Sequence, residues 1–493
     1  MKLKNIITGG DKLGSAVTLG VQHVFAMFGS TVLVPALTGL DPALTLLCMG
    51  VGTLIFHLVT NGIVPAFMGS SFSFISAICA VAAQCSKKGV DNFAPYVGWG
   101  ILASGLLYVV LSLLVKLCGA KRITSFFPPV VTGCMIIIIG MMLAPTAMNN
   151  ITTVQGNLAA ETQVVIDAEI PAENGYYFVS ELNADGSTGA SGWVLEDDLI
   201  VGETTVIGNE NGVSLLNEPA ADASTVSGTL TWKHWVVAIF TVAIIILVMF
   251  FARGFFKLIP ILFGIIGGYL LSLALGLVDV SPVKDAAWVA LPKFSFLKFE
   301  NWDVIGFSIS MIAPISIVTF VEHVGDITAN GAVTGNNYIE KPGLHRTLLG
   351  CGLASIFSGM LGGPAATTYS ENTGVLAATR NYNPATLRIA ALFAIILSLF
   401  GKVSGVLSSI PAPVMGGVSI ILFGMIASVG LRMLVENGVD FTKSRNLIIA
   451  AVMLVIGLGL SSGISFGNVS ISGTAIAAVL GVILNKILPK EEA

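Results

Sequence analysis

Apolar stretches long enough to cross a bilayer recur between Ser15 and Leu488, and nothing else in this chain limits its possible folds so strongly. A hydrocarbon core of about 30 Å takes roughly 20 apolar residues per helix. In lipid the backbone must satisfy its own N–H and C=O groups, which a helix does within one segment. About fourteen segments can be read: Ser15–Leu37, Ala43–Val64, Gly69–Ala83, Tyr96–Leu117, Pro129–Leu143, Val236–Ala252, Phe255–Leu277, Val304–Ala329, Leu348–Leu361, Thr367–Ala378, Leu387–Leu407, Met415–Leu434, Leu447–Leu460 and Ile471–Leu488. Charged residues are only 11% of the 493, against about 25% in a soluble domain. The expected fold class is therefore an all-α polytopic membrane protein.

The loops carry a charge pattern. With a cytoplasmic N-terminus, loops after even-numbered segments should be basic. They hold Lys116, Lys121 and Arg122; Arg253 and Lys257; Lys341, His345 and Arg346; Arg380 and Arg388; Arg432, Lys443 and Arg445; then Lys486 and Lys490. Lys87 and Lys88 are the exception. The first segment follows Lys2, Lys4 and Lys12 with no small-residue cleavage pattern, so it reads as a retained span with both termini cytoplasmic.

Between Asn150 and Trp232 the chain changes character. From Ile151 to Trp232 there are thirteen Asp or Glu and no Lys or Arg, so the remainder, against a total of −4, carries +9. Runs such as Tyr176-Tyr177-Phe178-Val179 and Trp193-Val194-Leu195, separated by Asn, Asp and Gly, predict a small β-rich insertion on the extracytoplasmic side. It has no cysteine. The six cysteines elsewhere show no metal-ligand or redox spacing and read as small hydrophobes.

Fourteen segments divide into two sets of seven, which must run oppositely across the bilayer. The third of each set is interrupted: Gly69–Ala83 after Pro65, and Thr367–Ala378 after Gly362-Gly363-Pro364. Paired broken segments in inverted repeats point to a transporter binding site. The expected organisation is a first repeat over 1–149 (five spans), the acidic insertion over 150–232, two further spans over 233–300, and a second repeat over 301–493.

Polar residues inside these spans are the candidates for function. Glu371 and Asn372 follow the second break, and an intramembrane carboxylate costs roughly 2.5 to 3.5 kcal/mol on insertion scales, so it marks substrate or ion handling by default; a structural glutamate is the plainer alternative. Glu322 and Asp326 are four apart on one helical face, with His323 turned aside. Two carboxylates facing one cavity suit proton coupling, although Asp326 could equally cap or pair near a helix end, and His323 could be a packing residue. Gln22-His23 is a weaker polar pair, and His57 reads as structural. Neither a Walker motif nor a nucleophile with a base is found, so neither an ATP-driven pump nor an enzyme is expected, and no cofactor, metal or nucleic acid is implied.

The run Glu371-Asn372-Thr373-Gly374-Val375-Leu376-Ala377-Ala378-Thr379-Arg380 resembles the signature of the nucleobase/ascorbate transporter family: Gln or Glu, Asn, any residue, Gly, four more, Thr. Gln22-His23 with Phe28-Gly29, Gly69-Ser70-Ser71-Phe72, Pro342-Gly343-Leu344-His345-Arg346 and Pro413-Val414-Met415-Gly416-Gly417 are similar to other family segments, so the resemblance covers all but the insertion. It implies fourteen spans in two inverted repeats forming a core and a gate domain, substrate between the broken segments, and a homodimer. It also implies that Glu371 and Glu322 accept ring N–H groups of a base, that Phe72 stacks on it, and that Tyr369, with Ser71, Ser370 and Asn372, belongs to the same pocket. Glu322, His323 and Asp326 are the expected proton-coupling set, with Asp326 standing where the family carries a histidine.

The resemblance divides on substrate. Bacterial uracil permeases carry His where this chain has Asp326, and Gly325-Asp326-Ile327-Thr328-Ala329 resembles the xanthine/urate branch, whereas Glu371 favours uracil over purines. The expected activity is proton-coupled uptake of a nucleobase, uracil first and xanthine or another purine second, across the membrane of a bacterial cell. An anion exchanger or channel on the same fold would place a cation at the broken helices instead. A surface binding or sensing protein built on the insertion is the remaining alternative.

Overall fold

In the computed structural model of the chain, residues 13–90, 92–152, 157–158, 163–166, 176–182, 188–196, 199–201, 205–207, 213–214, 232–460, 464–466 and 469–489 are described. The helices that build the fold are α1 (Leu13–Thr38), α2 (Pro42–Val59), α3 (Ile75–Lys87), α4 (Ala94–Cys118), α5 (Pro129–Met142), α6 (Trp232–Phe251), α7 (Pro260–Ala274), α8 (Trp302–Ile312), α9 (Ile315–Thr334), α10 (Leu344–Met360), α11 (Ser370–Thr379), α12 (Pro384–Ser398), α13 (Gly401–Ser408), α14 (Ala412–Glu436), α15 (Ser444–Gly459) and α16 (Gly473–Ile487). Local chemistry starts several of them. Asp41 caps α2 by accepting from Leu44 N–H at 2.6 Å with Pro42 in the first turn, and Asn383 with Pro384 does the same for α12.

Among the described residues seven helices are long and apolar enough to cross a membrane, or eight if one bent pair counts as a span. Their outward faces carry exposed Ile239, Leu247, Phe250 and Phe251 on α6 and Leu106, Leu113 and Leu117 on α4, as lipid-facing helices must. The stretch Leu387–Leu407, read as one span, is bent within its length: α12 and α13 meet at 82°. The cause is a loop from α7 that takes the place of the next turn. Leu399 C=O accepts Ala290 N–H at 2.9 Å, and at Gly401 a Cβ would collide with the Ala287 carbonyl.

The helices pack in two groups. In one, α4 runs along α10, α2 along α10 and α12, and α1 along α12, with α8 against α4. In the other, α14 packs on α5, α6 and α7, and α15 on α16 and α5. Five strands of the insertion form an antiparallel sheet in the order Thr188–Leu195, Tyr176–Leu182, Gln163–Ile166, Thr205–Ile207, Leu199–Ile200, around a small core of Val164, Val179 and Val194.

Both interrupted segments enter the fold as short strands. β1 (Met68–Ser70) leads through a 3-10 turn at Phe72–Phe74 into α3, and β2 (Ala366–Thr368) leads into α11. They cross antiparallel, with Met68 opposite Thr368, Gly69 opposite Thr367 and Ser70 opposite Ala366. Ser71 N–H to Ala365 C=O at 3.0 Å and Tyr369 N–H to Phe67 C=O at 3.1 Å extend the pairing.

Unwound backbone inside a membrane protein needs partners that lipid cannot give. Side chains from the flanking helices supply them. Met68 N–H donates to Thr53 Oγ1 of α2 at 2.9 Å, and Ala366 N–H donates to Ser355 Oγ of α10 at 3.1 Å. Ser358 donates to Pro364 C=O at 2.6 Å, Asn330 to Pro65 C=O at 2.7 Å, and His57 Nε2 to Ala66 C=O at 3.0 Å.

Candidate functional site

The crossing strands form a floor, and α9 runs past it. Glu322 and Asp326 lie on the same face of α9, and each reaches a different broken segment. Ser73 Oγ donates to Glu322 Oε2 at 3.4 Å, and Thr368 Oγ1 donates to Asp326 Oδ2 at 2.8 Å. Glu371 occupies the first turn of α11, where the N–H groups of the helix end favour a carboxylate. Phe72 and Tyr369 come from opposite segments, with ring centroids 6.5 Å apart and planes 13° from parallel. The Tyr369 hydroxyl donates to Ser70 C=O at 2.8 Å and so fixes its ring over Gly69.

Glu322, Asp326, Glu371, Phe72 and Tyr369 all open on one cavity of about 570 Å³ between the two helix groups, a size suited to a small molecule. The far wall is apolar, built from Ile136 and Ile139 of α5 and Leu422, Met425 and Val429 of α14. The mouth lies at the exposed end of α14, where Arg432 and Glu436 pair at 3.5 Å. Among the described residues Arg432 is the one Lys or Arg on the lining, so the floor is acidic and the single cation stands at the mouth.

The remaining candidates lie elsewhere. His323 is buried and turned toward α10, its Nε2 2.9 Å from Thr347 Oγ1 and its Nδ1 3.4 Å from Cys351 Sγ. Asn372 is buried against α1, where its Nδ2 donates to His23 Nδ1 at 3.0 Å and to His23 C=O at 3.2 Å. It therefore ties the broken helix to α1. Ser71 is buried in the turn after β1 and its Oγ has no partner, but it is off the cavity lining. The side chain of Ser370 lies outside the described part of the structure.

Sequence reasoning passed over three hydroxyls of the floor: Ser73, Thr367 and Thr368. Thr367 Oγ1 is buried with no partner at the cavity edge. The signal available was their place within the polar runs 70–73 and 367–370. The apolar wall had no such signal, because a cavity-facing Ile or Leu on a helix reads like a lipid-facing one.

A sequence profile of the Permease family matches residues 14–172 and 211–466. The chain belongs to the Permease family. It is 39% identical to the uracil permease of Bacillus subtilis (strain 168) over 484 residues, 97% of this chain and 94% of that one. It is 40% identical to the uracil permease of Bacillus caldolyticus over 479 residues, covering 97% and 93%. These relatives are named permeases, and this family member is a multi-pass membrane transporter and not an enzyme. Its fold is similar to the transmembrane domain of a cyanobacterium bicarbonate transporter, BicA, with a TM-score of 0.60 and 14% identity over 95% of this chain and 97% of that one. That likeness concerns the fold alone.

Proposed function

We propose that this Permease family member imports a nucleobase, uracil in preference to xanthine, by secondary-active transport coupled to protons. One observation carries the reading: three carboxylates and two near-parallel aromatic rings meet in one cavity at the crossing of two broken segments. Uracil is a flat ring of alternating N–H donors and C=O acceptors. Glu371 and Glu322 accept ring N–H groups, Phe72 and Tyr369 offer their faces, and the free N–H groups at the start of α11 suit a carbonyl. The likeness to uracil permeases over nearly the full chain favours uracil against the purine-like run at Asp326. The acidic floor disfavours an anion substrate, despite the fold shared with a bicarbonate transporter.

Asp326 and Glu322 are the proton-linked groups, since a carboxylate that gains a proton with the substrate crosses the membrane without its charge. Access alternates as α1–α4 with α8–α13, the core, shifts against α5–α7 with α14–α16, the gate. The matching treatment of the two strands, Thr53 for Met68 and Ser355 for Ala366, supports fourteen spans in two inverted repeats. Both termini are assigned to the cytoplasm and the acidic insertion to the outside, and the family resemblance implies a homodimer. The test is uptake of radiolabelled uracil into proteoliposomes under an inward proton gradient, competed with unlabelled xanthine. Gradient-driven uptake that xanthine leaves untouched supports the reading; stronger competition by xanthine moves the substrate to the purine side, and no uptake removes it.

A further inference from the structure

Behind Asp326 the hydrogen bonds continue into the protein, away from the cavity. We propose that Thr368 is the positioning residue that links the charge state of Asp326 to the crossing strands, by turning its one hydroxyl hydrogen between Asp326 and His323. The inference rests on the reading of Asp326 as a proton-linked group.

Thr368 Oγ1 stands 2.8 Å from Asp326 Oδ2 and 3.4 Å from His323 Nδ1. The state of the imidazole follows from its other side. Thr347 Oγ1 donates to Leu344 C=O at 3.0 Å, which commits its hydrogen. With that hydrogen on Leu344 C=O, the 2.9 Å contact with His323 Nε2 is made by a ring N–H, and this Nε2–H tautomer is part of the proposal. In the neutral ring Nδ1 is left as an acceptor. Two groups face it, the Thr368 hydroxyl and, at 3.4 Å, Cys351 Sγ, whose single hydrogen is shared between Nδ1 and Met68 Sδ at 3.9 Å.

A hydroxyl has one hydrogen and cannot donate both ways. With Asp326 ionised, Thr368 donates to the carboxylate and Cys351 alone serves Nδ1. When Asp326 takes a proton from water in the cavity, the new carboxyl O–H donates to Thr368 Oγ1. The Thr368 hydrogen is then released and turns to Nδ1. One proton enters and one O–H bond forms, at Asp326. All else is rotation about a C–O bond, and His323 stays neutral.

The position of Thr368 gives the switch a mechanical consequence. Its backbone lies opposite Met68 in the strand crossing, while Thr347 and Cys351 sit on α10, whose Ser355 and Ser358 hold the chain leading into β2. A proton at Asp326 therefore changes what fastens β2 to α10. The ionisable groups around Asp326 are Glu322 on α9, Glu371 on α11, Arg432 and Glu436 on α14, Tyr369, and, behind it, His323, Cys351 and Tyr108 of α4. Of the groups behind it, His323 is the one that shares the Thr368 hydroxyl.

The test compares wild type, Thr368→Val and Thr368→Ser in proteoliposomes by two readouts: exchange of labelled for unlabelled uracil at equal pH, and accumulation driven by an inward proton gradient. The Val variant's gradient-driven accumulation, taken relative to its own exchange rate, falls about tenfold or more, the scale of one hydrogen bond to a charged group. The Ser variant accumulates as wild type. Accumulation by the Val variant at the wild-type level overturns the proposal. Loss of exchange together with accumulation overturns it too, since Thr368 is then a structural or binding group. Wild type that exchanges uracil without accumulating it contradicts proton coupling itself, and the proposal with it. If the Val variant does not reach the membrane, Cys351→Ala takes its place. Removing the competing donor to Nδ1 draws the Thr368 hydrogen away from Asp326 and changes the pH profile of uptake, and an unchanged profile refutes the switch.

Discussion

Gly69 and Tyr369 pack so closely at the strand crossing that a Cβ on the glycine would collide with Cε2 and Cζ of the tyrosine ring. Both broken segments depend on this approach, because it lets Tyr369 reach Ser70 C=O and lie near-parallel to Phe72. Overpacking a filled site costs typically about 1–3 kcal/mol. Gly69→Ala should lower the thermal midpoint of the purified protein and abolish uptake. Adding Tyr369→Ala in the same chain should restore the midpoint but not uptake. A Gly69→Ala protein with unchanged midpoint and uptake refutes this packing.

Tyr369→Phe keeps the ring and removes the bond to Ser70 C=O. One neutral hydrogen bond contributes about 1 kcal/mol net, so uracil binding measured calorimetrically should weaken several-fold while protein yield is unaffected. Unchanged affinity would show that the hydroxyl does not position the ring.

The strands remain unwound because side chains complete their hydrogen bonds. Thr53→Val leaves Met68 N–H without its partner, and Ser355→Ala does the same to Ala366 N–H. Each unsatisfied buried group costs roughly 1–3 kcal/mol. Both variants should lose thermal stability in detergent, and Thr53→Ser should lose little. Equal midpoints for Thr53→Val and wild type would mean that these bonds are not what holds the strands.

Helices reach Thr152 before the insertion and resume at Trp232 after it. Among the described residues, those that line the cavity all lie outside this stretch. Replacing residues 153–231 by a Gly/Ser linker should therefore preserve uracil uptake. Loss of uptake by a variant that still reaches the membrane would make the insertion part of the transport machinery.

What the sequence revealed follows from what polarity can signal. Glu322, Asp326 and Glu371 stood out because a carboxylate in an apolar run has few structural reasons to be there, and all three line one cavity. Gly362-Gly363-Pro364 announced the break before β2 because neither residue type continues a helix. The partner that each side chain meets was not legible. His323 sits beside Glu322 in sequence but faces α10, and Asn372 beside Glu371 faces His23. The bend between α12 and α13 was hidden as well, since its cause is a loop more than a hundred residues away, at Ala287–Ala290.

The central claim is that Glu371 accepts a ring N–H of the transported base. It is tested by uptake of radiolabelled uracil under an inward proton gradient for wild type and Glu371→Gln. Replacing the carboxyl group by an amide removes the acceptor matched to a ring N–H, so uptake by the variant should fall about tenfold or more. Wild-type rates in Glu371→Gln, at equal protein in the membrane, would contradict the account.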